Sequence, residues 1–246
     1  MWDKPHLLNA IADLLYAAAA AVLLTAFVLW AVRVPSLPIR QVVASQELRH
    51  IRQDELERVL VGRLSGNFFS LDVKEVQAAV ETLPWVRRVE VRRKWPSRLE
   101  LGIEEHVPVG RWEDGANHSG KNELVNSYGE VFVAVLGGTE AARLPQLFGP
   151  AGTAREVLRQ HEEFARILAP IGLKPARVRL SPRLAWQIRL ENGMLIELGR
   201  EQSKSPVGVR LARFVEIYPG SVGNRQALPA VIDLRYPNGF ALREKG

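Results

Sequence analysis

Cysteine is absent from all 246 residues. That excludes disulfides, thiolate catalysis and Cys-ligated zinc, and it suits either side of a bacterial membrane. Histidine is scarce, and His6, His50, His106 and His118 are scattered without ligand spacing. Catalytic motifs are missing as well. Gly115 to Lys121 spells G-x-x-x-x-G-K, but Asn122 follows where a phosphate loop needs Ser or Thr, and a strand pattern comes next instead of a helix. It reads as a polar surface loop. His161-Glu162-Glu163 lacks the second histidine of a zincin, because Ala165 occupies that place. Gly220-Ser221-Val222-Gly223 lacks the strand-to-helix elbow that exposes a nucleophilic serine. The residues support no enzyme.

Charge is missing from one long stretch. Leu14 to Val32 is 19 consecutive uncharged positions without Pro or Gly, dominated by Ala and Leu, with Trp30 where an interfacial aromatic belongs. As a helix it is ~28 Å long, close to the hydrocarbon core of a bilayer. A cleaved signal peptide would have a shorter apolar core and a small-x-small site, and Ala31-Val32-Arg33-Val34-Pro35 is a poor one. A single membrane-spanning helix is expected. Its orientation is open from charge alone: Lys4 and the amino terminus flank one end, Arg33 and Arg40 the other.

The 214 residues beyond Val32 suffice for two domains with real cores. With 47% hydrophobic and 24% charged residues the chain is ordinary globular protein, not a disordered one. Setting aside Asp3, Lys4 and Asp13, this part holds 32 basic and 25 acidic residues, a net of +7. Such a charge suits anionic lipid, nucleic acid or an acidic protein partner.

The segment after the anchor reads as an α+β unit in the order β-α-α-β-β. Ile39, Val42 and Val43 suggest a strand, and Asp54 to Leu64 places Leu56, Val59, Leu60 and Leu64 at helical spacing. Asp72 is an N-cap candidate with Glu75 three residues on, and Leu71 and Val76 sit at the staple positions. Val73, Val76, Val80 and Leu83 mark the buried face of that helix, and Pro84 ends it. Val89 and Val91, then Leu99, Leu101 and Ile103, alternate on either side of Trp95-Pro96-Ser97 and predict a hairpin. The basic run from Arg87 to Lys94 occupies the outward phase of a strand, with Glu90 among its cations. No aromatic platform interleaves with it, so it reads as a solvated face and no nucleic-acid partner is expected.

From His106 onward short strands dominate, with two helical interruptions. Leu124 to Val135 alternates around Tyr128-Gly129. Thr153 with Glu156 predicts a capping box opening a helix that Pro170 and Gly172 stop. Trp186, Ile188 and Leu190 lead into Asn192-Gly193, the signature of a two-residue hairpin turn, and Ile196 and Leu198 lead out. Val209 to Ile217 predicts a second helix closed by Pro219-Gly220. A last strand alternates Val231, Asp233 and Arg235 with Ile232, Leu234 and Tyr236 before Pro237-Asn238-Gly239.

Leu83-Pro84-Trp85-Val86, the Val89 to Pro96 stretch, Leu99 to Glu105, Val107-Pro108 and Arg111-Trp112 resemble the POTRA domain of the bacterial FtsQ/DivIB cell-division family. Leu124 to Phe132, Leu144 to Pro150 and Asp233 to Gly239 resemble its β domain. The resemblance implies an inner-membrane protein of type II topology with a cytoplasmic stub (1–13), a transmembrane helix (14–32), a POTRA domain (36–105) and a C-terminal β domain (106–246), the last two in the periplasm. It implies no enzymatic activity and no cofactor. It implies a stable complex with FtsB and FtsL through the far end of the β domain, septal localisation, and contacts of the POTRA part with early division proteins such as FtsK.

Carried onto this chain, the partner site falls on Tyr236, Asn238 and Gly239 and continues through Phe240 and Leu242 as an edge strand. Arg235 and Arg183 are placed to pair with acidic residues of the incoming segment. The residues alone leave a second account open, in which Tyr236 is a core aromatic and Asn238-Gly239 only a turn. The chain departs from the family pattern at Glu244, where many relatives carry an aromatic, which leaves the outer end of the interface open. The alternative function is a POTRA-bearing transport or chaperone component that binds extended polypeptides, against which stand the missing POTRA repeats and missing barrel.

Overall fold

The computed structural model describes residues 5–33, 39, 41–63, 67–114, 122–224, 227–236 and 239–244. The loop 115–121 and the residues Leu64 and Asn238, singled out above, lie outside the described residues. The first element, α1 (Pro5–Arg33), is a 29-residue helix. Its Asn9–Trp30 stretch is long and apolar enough to cross a membrane, and none of it is buried within the protein. Thr25 donates its hydroxyl to the Ala21 carbonyl at 2.7 Å, so this polar group carries its own acceptor into the apolar stretch.

The chain divides into two compact units, Met1–Glu105 and His106–Gly246. In the first, β1 (Gln41–Ala44), α2 (Gln53–Leu60), α3 (Val73–Val80), β2 (Val86–Lys94) and β3 (Arg98–Glu105) follow in order. The sheet runs β1-β3-β2, with β1 parallel and β2 antiparallel to β3. Asp72 caps α3 by accepting from the Lys74 and Glu75 amides at 2.9 and 3.4 Å. Val76 and Val80 are fully buried against Val89, Leu99, Leu101 and Ile103. The helix stops at Val80, ahead of Pro84, and α2 begins one residue earlier than its apolar spacing suggests. Glu105 closes the unit: its carboxylate accepts the amides of Arg49, His50 and Ile51 at 2.8 to 3.0 Å. The outward phase of β2 is charged, as its alternation requires, and Arg92 pairs with Glu90 while Lys94 pairs with Glu100.

The second unit contains β4 (Pro108–Asp114), β5 (Glu123–Asn126), β6 (Val131–Val133), α4 (Gly138–Arg143), β7 (Gln146–Gly149), α5 (Ala154–Leu168), β8 (Pro175–Leu180), β9 (Ala185–Leu190), β10 (Leu195–Arg200), α6 (Val207–Ser221), β11 (Val231–Asp233) and β12 (Ala241–Arg243). They build a nine-stranded mixed sheet in the order β12-β11-β10-β9-β8-β7-β4-β5-β6. Helices α5 and α6 cover one face and bury Phe164, Leu168, Leu211 and Phe214 against Val178, Ile188, Ile196 and Ile232. Asn126, the last residue of β5, is a buried hub for the turn that follows: its Oδ1 accepts the amides of Tyr128 and Glu130, both at 2.9 Å, and its Nδ2 donates to Glu130 at 2.7 Å. Gly129, at φ +76°, lies where a Cβ would stand 2.7 Å from the Arg155 backbone, so only glycine fits.

Four local expectations change. Thr153 forms no capping box, because its hydroxyl donates to the Pro150 carbonyl at 2.7 Å instead of accepting from the helix. The Asn192-Gly193 hairpin has a three-residue connection: Leu190 donates to Met194 at 2.9 Å, and Gly193 takes φ +88° as the extra residue. Pro219 does not close α6, since in a last turn its missing N–H costs one rung, and the Ser221 hydroxyl bonds the Ile217 carbonyl at 2.8 Å. The final strand does not reach Tyr236. It ends at Asp233, and the Leu234 amide makes a further parallel rung to Glu197 at 2.8 Å before the chain leaves the sheet. The six-residue α4 is a third helix that no apolar periodicity announced.

Candidate partner-binding edge

Strand β12 closes one side of the nine-stranded sheet and pairs only with β11, Ile232 opposite Leu242. Leu195 donates to Ala230 and Leu234 to Glu197, so the even-numbered main chain of β11 faces β10 and the odd-numbered main chain faces β12. Val231 and Asp233 therefore make the rungs with Arg243 and Ala241. Leu242 points its main-chain N–H and C=O out of the sheet, an open rung for an added strand. Its side chain packs on the core, as does Phe240, whose ring meets Phe214 edge-on at 5.9 Å.

Tyr236 stands in the β11–β12 connection and is 55% exposed, so it is not a core aromatic. Beside it is a cleft of about 60 Å³ formed with Arg210, Phe214, Ile217, Gly239 and Phe240. Gly239 is exposed. Arg210 is the cleft's buried cation: its Nη2 donates to the Arg200 carbonyl at 2.6 Å, and desolvation lowers its pKa from the ordinary arginine value, with Glu201 acting the other way. Sequence reasoning passed over Arg210 and Ile217 because α6 read as a core helix. A cation in register with the buried Val207, Leu211 and Phe214 was the available signal.

Arg235 is already paired inside the protein. It bonds Asp233 through Nε at 2.8 Å and lies 3.5 Å from Glu197. Those hydrogen bonds, ahead of every other influence, hold the Asp233 carboxyl below the ordinary carboxylate range. Arg183 is exposed in the turn between β8 and β9. Because Ala185 pairs with Arg200 and Glu197 with Asp233, that turn and the β11–β12 connection share one end of the sheet. Leu184 in the same turn is 59% exposed at φ +58°, a backbone that disfavours leucine. Nothing in the sequence pattern pointed to it.

A POTRA-type unit followed by this mixed β unit, behind an apolar helix, defines a class of cell-division proteins. The model of the C-terminal domain of cell division protein FtsQ/DivIB matches residues 110–235, and that of the FtsQ-type POTRA domain matches residues 37–106. Cell division protein FtsQ of Burkholderia pseudomallei is 39% identical over 246 residues, covering all of this chain and 95% of that protein. That of Nitrosospira multiformis is 37% identical, covering 99% of each chain, and that of Escherichia coli is 33% identical, covering 87% of this chain and 75% of its own. The chain belongs to the FtsQ/DivIB family.

Proposed function

We infer that this protein is a non-enzymatic scaffold of the division machinery, held in the inner membrane by α1 with both soluble units in the periplasm at the septum. Its β unit takes an extended segment of FtsB, in complex with FtsL, as an added strand on β12. Early division proteins, FtsK among them, meet the POTRA unit. One observation carries the reading of the edge: the open rung at Leu242 belongs to the strand that follows the connection in which Tyr236 is 55% exposed. Backbone pairing supplies affinity in such a mode and a few side chains supply specificity. The internal pairing of Arg235 makes it a support for the edge, with Tyr236 as the anchor.

The test is titration of the purified chain with FtsB–FtsL. Tyr236→Ala weakens the complex by about 2 kcal/mol or more, as loss of an interface tyrosine does. Ser127→Ala, an exposed change remote from the edge, leaves it unaltered. A folded Tyr236→Ala protein with undiminished affinity sinks the assignment.

A further inference from the structure

The other end of the sheet carries a feature the division-protein reading leaves unused. Where β7 and β8 begin and β9 ends, a cavity of about 760 Å³ opens to solvent, lined by Arg111, Arg143, Lys174, Arg177 and Arg189, with Glu191 the one acidic residue among the described lining. Register sets three of these cations in a row: Arg111 lies opposite Gln146, Gln146 opposite Arg177, and Arg177 opposite Arg189. Their neighbours Trp112, Val178 and Ile188 are core residues, so alternation turns the arginines to the opposite face.

Among the described residues no carboxylate pairs with these cations. Arg177 donates to Gln146 at 2.5 Å, an uncharged partner. The side chains of Arg111, Arg143, Lys174 and Arg189 have no hydrogen-bond or ion partner among the described residues, and the Arg111 Nε is buried with its donor unmet. Four exposed arginines elsewhere in the chain do find carboxylates: Arg52 and Arg58 share Asp54, Arg92 takes Glu90, and Arg235 takes Asp233. His161 on the wall contributes no further cation, since burial lowers its pKa from 6.5 and favours the neutral ring. Five cations with a single carboxylate among the described lining raise the local potential, which an anion relieves.

We propose that this cavity binds an acidic peptide segment of a protein partner, a second docking site separate from the β12 edge. The half-buried Leu144 and Pro145 share the lining with the cations, an apolar component that suits a polypeptide better than a bare phosphate or lipid headgroup. An extended chain crossing the strands sets same-side carboxylates about 7 Å apart, within reach of arginines on neighbouring strands, and guanidinium groups bind carboxylates in a fork. Arg189 is next to last in β9 and Glu191 follows its end, whereas Arg183 precedes its start, so the two sites use opposite ends of the sheet. The proposal does not depend on the edge at β12, and each can fail alone.

The probe is a fluorescein-labelled (Glu-Ala)₃ peptide, titrated into the full chain in neutral detergent and read by anisotropy. Saturable binding is expected, tightening as salt falls from about 0.3 to 0.05 M. The exposed double change Arg143→Glu/Arg189→Glu weakens binding by about tenfold or more, while the charge-matched Arg58→Glu/Arg92→Glu in the other unit changes it by less than about twofold. No saturable binding overturns the proposal, and so does an equal loss in both double variants. Binding of tripolyphosphate or phosphatidylglycerol vesicles that the cavity variant abolishes, and that the peptide fails to compete with, also overturns it by reassigning the cavity to phosphate groups.

Discussion

Arg235 grips Asp233 through a two-pronged contact, Nε to Oδ1 at 2.8 Å and Nη2 to Oδ2 at 2.5 Å, and its stem crosses Gly199, where a Cβ would stand 3.0 Å from the arginine Cγ. Two strands and the connection that follows them meet in this contact. Gly199 is in the bulge of β10, at φ +73°, and Asp233 ends β11, while Arg235 begins the connection that carries Tyr236. The clasp ties the residue that precedes Tyr236 to the ends of β10 and β11.

The clasp has a pH signature. Arg235 holds the folded-state pKa of Asp233 below its ordinary 3.8, so the stabilisation is present above that value and is lost as pH falls through the lower folded value. Arg235→Ala then destabilises the chain at neutral pH by only about 0.5–1 kcal/mol, because the guanidinium is largely exposed. Urea melts of both proteins at neutral pH and near pH 2 check it. A difference that does not shrink in acid rules out Asp233 as its source.

Leu242→Pro separates the edge from the fold. Proline is tolerated on an edge strand where its missing N–H faces outward, and the Leu242 N–H does. The variant keeps its far-UV circular dichroism and loses affinity for FtsB–FtsL. A variant that binds as well as the parent means that no strand is added at this rung.

Val76→Asp separates the two units. Val76 is fully buried among apolar neighbours, so an aspartate there meets no partner and unfolds the POTRA unit, at a cost of several kcal/mol. Amide spectra should show the β unit unchanged and FtsB–FtsL still bound. Loss of binding with a folded β unit places the interface in the other unit.

Topology is checked by a reporter fused after Gly246 that is active only when exported. Activity is expected. Activity confined to a cytoplasmic reporter reverses the compartment and the partners proposed from it.

Local chemistry governed what was legible in the chain. An uncharged run of 19 residues determines a membrane-length helix by composition alone. Asp72 announces α3 through a cap that reaches only two and three residues ahead, and the alternation of Leu99, Leu101 and Ile103 declares a half-buried strand. These signals, with the family motifs, were sufficient for the α+β class and for the order of elements around the hairpin. They fell short where a competing local bond or a distant strand decided the outcome. The Thr153 hydroxyl donates to the Pro150 carbonyl and makes no cap bond to the helix. Tyr236 shares the phase of Ile232 and Leu234, so alternation alone predicts burial for all three, yet only the first two are buried. What separates them is where β11 stops. That is set by its parallel partner β10, about 35 residues earlier in sequence, and by a clasp that needs Gly199 and Glu197 beneath it. The row of unpaired arginines was hidden for the same reason: Arg111, Arg177 and Arg189 become neighbours only through the registers of four strands. Periodicity along a chain records which face a residue takes, and pairing across a sheet decides what stands beside it.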